Sequence, residues 1–177
     1  MPPVDPLRYP IGPMPDAPLR DPAARADARA RLARAPGALR AALAGLDERQ
    51  LEVPYRPGGW SSRQVAHHLA DSHMNAFIRM KLALTEEAPL AKTYDEAAWA
   101  ALPNGSSDPL EPSLVLLEAL HARWDALLGT FDEAAWRRAY RHPELGPVPL
   151  DLCLAIYAWH GDHHVAQVTG LRAREGW

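Results

Sequence analysis

The chain has 177 residues, 47% of them hydrophobic and 23% charged, which suffices for one domain with a sizeable core and excludes disorder or a fibrous repeat. The formal charge is −3, and 17 arginines against two lysines, Lys81 and Lys92, are scattered without a basic block that would mark a nucleic-acid surface. The single cysteine, Cys153, excludes an internal disulfide, no apolar run reaches the roughly 20 residues of a membrane span, and Met1-Pro2-Pro3-Val4-Asp5 is unlike a signal peptide, so a cytoplasmic protein is expected.

Residues 1–20 carry seven prolines and predict an extended arm, with Leu7, Tyr9 and Ile11 as apolar handles for packing on a domain that covers residues 21–177. Asp21-Pro22 opens a helix with a capping side chain and a first-turn proline, and this helix should reach about Leu46 with a kink or break at Pro36. Asp47 to Trp60 contains Pro54, Pro57 and Gly58-Gly59 and reads as a loop. Ser61 and Gln64 form a capping box for a long helix ending near Thr85. Pro89, Pro103, Asn104-Gly105, Pro109 and Pro112 make residues 86–112 a predicted connection, with a short helix over Asp95–Leu102.

Ser113 is expected to open a further helix from Leu114 to Gly129, because Leu117, Leu120, Trp124 and Leu127 recur at helical spacing. A single turn near Asp132–Arg138, a loop through His142-Pro143 and Pro147, and a last helix from Asp151 to Arg174 complete the chain. Four principal helices without an alternating strand pattern predict an all-α bundle.

Six of the eight histidines fall in two predicted helices: His67, His68 and His73, then His160, His163 and His164. At about 100° per residue, His160 and His164 stand about 40° apart on a stripe that also holds Cys153, Ile156, Tyr157 and Gln167. Two imidazoles at i and i+4 on one apolar face can share a metal ion, whereas two unpaired ones would be costly to bury. His163 lies about 60° from His160 and nearer the edge of the stripe. The Ser61–Thr85 helix offers a third imidazole on a polar stripe of His68, Ser72, Asn75 and Arg79, although His67, about 100° away, is not excluded by periodicity. Three imidazoles would leave a coordination position open for water or substrate, the mark of a catalytic site.

A set of motifs spread over the chain resembles the YfiT-like branch of the DinB superfamily. It comprises Gly58-Gly59-Trp60, Arg63-Gln64-Val65, His67-His68 through His73-Met74-Asn75, Ile78-Arg79, Tyr94-Asp95-Glu96 with Trp99, Leu120-His121 with Arg123-Trp124, His142-Pro143, and Tyr157-Ala158-Trp159-His160 through His163-His164. Tyr9-Pro10-Ile11-Gly12 and Gly176-Trp177 fit as well. The resemblance implies a DinB-like four-helix bundle, a site for one divalent transition metal (zinc or nickel) held by His68, His160 and His164, and a homodimer. It also implies a metal-dependent hydrolase or a thiol S-transferase that joins a low-molecular-weight thiol such as bacillithiol to a small electrophile. Gln167 stands where relatives often carry a further histidine.

A metal with an open position can acidify water for hydrolysis or hold a thiol as thiolate for transfer. The residues show no clear general base, which favours transfer over hydrolysis. A non-enzymatic metal-binding or dimerisation module is the reading from a different class. Around the site, Asp71 could orient a histidine, Asn75 and Arg79 could bind a carboxylate, and Tyr157 could donate to a developing anion, with His163 a further neighbour.

Overall fold

The computed structural model describes residues 5–177. Four long helices form the bundle: α1 (Pro22–Leu43), α3 (Ser62–Thr85), α6 (Glu111–Leu128) and α8 (Leu150–Glu175). Between them lie the short α2 (Glu48–Leu51), α4 (Glu96–Ala100), α5 (Pro103–Ser106) and α7 (Glu133–Arg137). The two predicted starts of long helices at Asp21 and Ser61 are the observed caps. Asp21 accepts from the Ala23 amide, and Ser61 and Gln64 exchange hydrogen bonds as a capping box.

Four expectations need correction. Pro36 neither breaks nor ends α1, which runs through it to Leu43. Proline cannot donate to the carbonyl four residues back, and Nδ1 of His121 takes that role, 2.7 Å from the Leu32 oxygen. Glu111 rather than Ser113 starts α6; the Ser113 hydroxyl is instead 2.7 Å from His67 Nδ1. The loop expected between α1 and α3 contains α2, closed by its own capping box of Asp47 and Gln50. The loop expected after α7 is an antiparallel hairpin of β1 (Ala139–His142) and β2 (Gly146–Pro149). Its turn needs the left-handed conformation of Gly146, φ 72°, and its outer edge bonds the chain at Pro89 and Ala91.

Two apolar clusters fill the bundle. One gathers Leu32, Phe77, Met80, Trp124, Leu150 and Leu154, and the other Leu39, Val65, Leu69, Leu117, Val168 and Leu171. Following each helix from one cluster to the other shows that α1 and α8 run one way and α3 and α6 the opposite way. The α3–α6 connection must therefore return along the length of the bundle, and it carries α4 and α5 on its way. Between the clusters lies a polar layer of buried imidazoles: His68 and His73 from α3, His121 from α6, and His163 and His164 from α8.

Helix α1 packs most extensively on α8, and Gly161 permits the contact: a Cβ there would lie 2.8 Å from Ala35 Cβ. Gly161→Ala should therefore destabilise the protein by about 1–3 kcal/mol by forcing α1 away. The exposed Gly170 on the same helix has open space around its would-be Cβ. There Gly170→Ala should stabilise by about 0.5–1 kcal/mol. Urea unfolding of both variants measures the contrast.

Candidate metal centre

One turn of helix separates His160 from His164 on α8, and His68 faces them from α3. The three rings meet through their Nε2 atoms. His160 Nε2 lies 3.3 Å from His68 Nε2 and 3.2 Å from His164 Nε2. A tetrahedral ion with metal–nitrogen bonds of about 2.0–2.1 Å sets its ligands about 3.3–3.4 Å apart, so the two spacings from His160 fit, and all three ligand atoms lie within 4.8 Å of one another. Burial, reinforced by the neighbouring imidazoles, lowers the pKa of all three: His68 falls to about 4, and His160 and His164 well below their ordinary value. The rings are neutral at pH 7, and each has one nitrogen lone pair to offer.

The protons of two of these rings are committed elsewhere. His164 Nδ1 is 2.8 Å from Gln167 Oε1 and donates to it. The amide of Gln167 cannot be turned round, because its nitrogen donates to the Arg8 carbonyl at 3.0 Å and lies 2.9 Å from His163 Nε2. His160 Nδ1 faces His73 Nε2 at 3.1 Å. No proton is then left between the Nε2 atoms of His160 and His164, and a cation is what this donor set can satisfy. His68, His160 and His164 form the group that can hold a metal ion among the described residues.

His67 points away from this group. Its ring lies against Ser113 and the Asp108 carbonyl, 2.7 and 3.2 Å distant, which ties α3 to the start of α6. His163 lies against Gln167 and stacks on Trp159 with centroids 4.4 Å apart. Asn75 donates to the Asp71 carbonyl within its own helix. The Asp71 carboxyl makes no hydrogen bond to the three rings; burial raises its pKa, and nearby His67 opposes the rise. Arg79 is buried and donates to the Lys92 carbonyl at 2.8 Å. It lines a neighbouring cavity with Tyr94, Glu96 and His142. Tyr157 packs edge-on against His73 at 5.2 Å and is absent from the cavity walls. Cys153 is likewise interior, 3.8 Å from the Tyr140 hydroxyl.

Above the three-histidine group opens a cavity of about 360 Å³. Trp60, stacked obliquely on His68 at 4.5 Å, is one wall, and Tyr9, Tyr55 and Trp159 are others. Three charged residues that sequence reasoning did not assign to the site line it: Arg8, Arg56 and Glu96. Arg8 comes from the N-terminal arm, Arg56 from the turn before α3, and Glu96 from the return connection. Glu96 stands at the solvent-exposed mouth, yet protein closes round its carboxyl enough that burial raises its pKa, against the pull of Arg79.

Gln167→Leu removes the acceptor for the His164 proton and should weaken metal binding about 10–100-fold, read by competition with a chromophoric chelator. Acid should destabilise the metal-free protein. His68 and His121 fall from 6.5 to about 4 on folding, so the unfolded chain binds more protons in that range. The thermal midpoint, level above pH 6.5, is expected to decline steadily as pH drops towards 4.

The model of the DinB superfamily matches residues 31–168. A Geobacillus kaustophilus protein named "putative metal-dependent hydrolase" is 49% identical over 98% of each chain. A Bacillus licheniformis protein of the same designation is 48% identical over 98% of this chain and 99% of its own. The structure of YfiT from Bacillus subtilis, described as a probable metal-dependent hydrolase with an unusual four-helix bundle topology, superposes with a TM-score of 0.95. It is 41% identical and covers 98% of this chain and 99% of its own. By the match of its sequence and the course of its four helices, the chain belongs to the DinB superfamily.

Proposed function

We propose that the chain is a metal-dependent hydrolase in which His68, His160 and His164 hold one divalent ion, zinc or nickel, at the floor of the cavity. The observation that carries this reading is the convergence of three neutral imidazoles, their ligand atoms within 4.8 Å of one another and His160 Nε2 3.2–3.3 Å from the other two, beneath a space open to a small molecule. When bound, such an ion supplies a Lewis acid that acidifies a coordinated water.

The protein side of the chemistry falls to the charged lining. Glu96 brings to the cavity the carboxyl that the sequence reading lacked, and burial raises its pKa in the direction that favours a group able to take up a proton and return it to a leaving group. The Arg8 and Arg56 guanidinium groups attract an anionic substrate, and the aromatic walls exclude bulk water around it.

The same two arginines favour a second reading, thiol transfer. A low-molecular-weight thiol bearing carboxylates would pair with them while its sulfur reached the cavity floor.

The untagged protein should contain one equivalent of metal, and His160→Ala should contain none; a wild-type chain without stoichiometric metal sinks both enzymatic readings in favour of a non-catalytic module. A panel of anionic esters, amides and lactones should then reveal hydrolysis. Glu96→Gln is expected to retain its metal, lower kcat by about 10²–10⁴, and abolish an acid limb that lies above the usual carboxylate range. Metal-dependent conjugation of monochlorobimane with bacillithiol, glutathione or mycothiol, in the absence of any hydrolysis, would select the transferase.

A further inference from the structure

Neither His73 nor His121 lines the cavity, and both are buried, at 0% and 3% exposure. They nevertheless connect His160 to a single acceptor on the far side of the bundle. Pro36 has no amide hydrogen, so the Leu32 carbonyl of α1 is left without its helical donor. His121 Nδ1, on α6, lies 2.7 Å from that oxygen. His121 Nε2 lies 2.8 Å from His73 Nδ1 on α3, and His73 Nε2 lies 3.1 Å from His160 Nδ1 on α8.

A carbonyl oxygen can only accept, and that fixes every proton in the row. His121 must donate from Nδ1, which leaves its Nε2 as an acceptor in the neutral ring. His73 must then donate from Nδ1 and accept at Nε2. His160 in turn donates from Nδ1, and its Nε2 carries the lone pair that faces His68 and His164. The reverse order would set a lone pair against the Leu32 oxygen. Ring planes are held as well as protons: His73 stacks on His121 at 4.9 Å and meets Trp124 and Tyr157 edge-on, at 81° and 90°.

We propose that Pro36, His121 and His73 are positioning residues for the metal centre, acting as a row that starts at the Leu32 carbonyl and locks His160 in the tautomer whose Nε2 can bind a cation. The row ends on a backbone carbonyl oxygen, which can accept a hydrogen bond but has no proton to pass on, so it orients a proton and does not relay one. It rests on the metal site proposed above, but its first test needs neither metal nor substrate.

Long-range nitrogen–proton correlation spectra of the full-length, metal-free chain with isotope-labelled histidine read each tautomer directly. His121, His73 and His160 should all be protonated at Nδ1, the form that free histidine in water populates less. His121→Phe should leave the helical circular dichroism intact, introduce the Nε2-protonated form at His73 and His160, and weaken zinc binding about 10–100-fold. Should that variant fail to fold, Pro36→Ala serves instead. It returns an amide hydrogen to the Leu32 carbonyl in competition with His121, and a second tautomer is expected at His121 and His73. An Nε2-protonated His160 in the wild type overturns the proposal, as do unchanged tautomers and zinc affinity in a folded His121→Phe, or unchanged tautomers in Pro36→Ala where it stands in. A wild type with the stated tautomers but no hydrolytic activity overturns the function proposed above and leaves the row standing.

Discussion

Every nitrogen of a buried imidazole needs a partner, and meeting that requirement governs the middle of this bundle. The two apolar clusters above and below would pack on their own terms. Between them, His67, His73 and His121 have both ring nitrogens placed against a hydroxyl, a carbonyl or another ring, and His160 and His164 have Nδ1 placed against His73 and Gln167, which leaves their Nε2 atoms for a cation; the buried His163 Nδ1 is the exception. Those placements tie all four long helices together at one level. The close contact of α1 and α8 at Gly161 follows from the same requirement, since a wider gap would draw the Leu32 carbonyl away from the layer it anchors.

The direction of the helices then decides what surrounds the site. Because α3 and α6 run the same way, the chain between them has to travel the length of the bundle, and in doing so it passes the histidine layer at mid-height. Glu96 owes its place to that return. The other side of the cavity is closed by residues that precede the bundle altogether, for the Arg8 carbonyl accepts from Gln167 and the Tyr9 ring lies 5.8 Å from His163.

Local signals were read well from the sequence. Asp21-Pro22 and the Ser61–Gln64 capping box each act within one turn, and the helices they begin are the ones observed. The pair His160 and His164 was legible for the same reason, as a spacing on one helix. Periodicity favoured His68 over His67 only weakly and family resemblance settled the choice, because the distinction depends on Ser113 and Asp108, more than 40 positions along the chain. Sequence reasoning placed His121 in a family motif without a role and expected a kink or break at Pro36, since each explains the other only once α1 and α6 are side by side. Gln167, seen in sequence as a departure from the family pattern, stands three residues beyond the ring it orients, and that spacing was a signal available but unused. The hairpin escaped notice because Pro147 and Pro149 suppress a strand pattern, while its pairing along the outer edge is with Pro89 and Ala91.

The division between interior and cavity has a consequence for how such a site can change. The partners of His160 and His164 that fix their protons, His73 and Gln167, are buried, and the row behind His160 runs away from the substrate space. Arg8, Arg56 and Glu96 line the cavity, are contributed by the arm, a turn and the return connection, and make no hydrogen bond to the three rings through their side chains. Substitution among them alters charge and shape where a substrate would sit without disturbing the lone pairs beneath it. The class of chemistry is thus set by the helices and their interior, and the choice of substrate by the segments laid over them. A single donor set could in this way serve water or a thiol as nucleophile, the difference residing in which anion the two arginines admit and whether Glu96 is placed to move its proton.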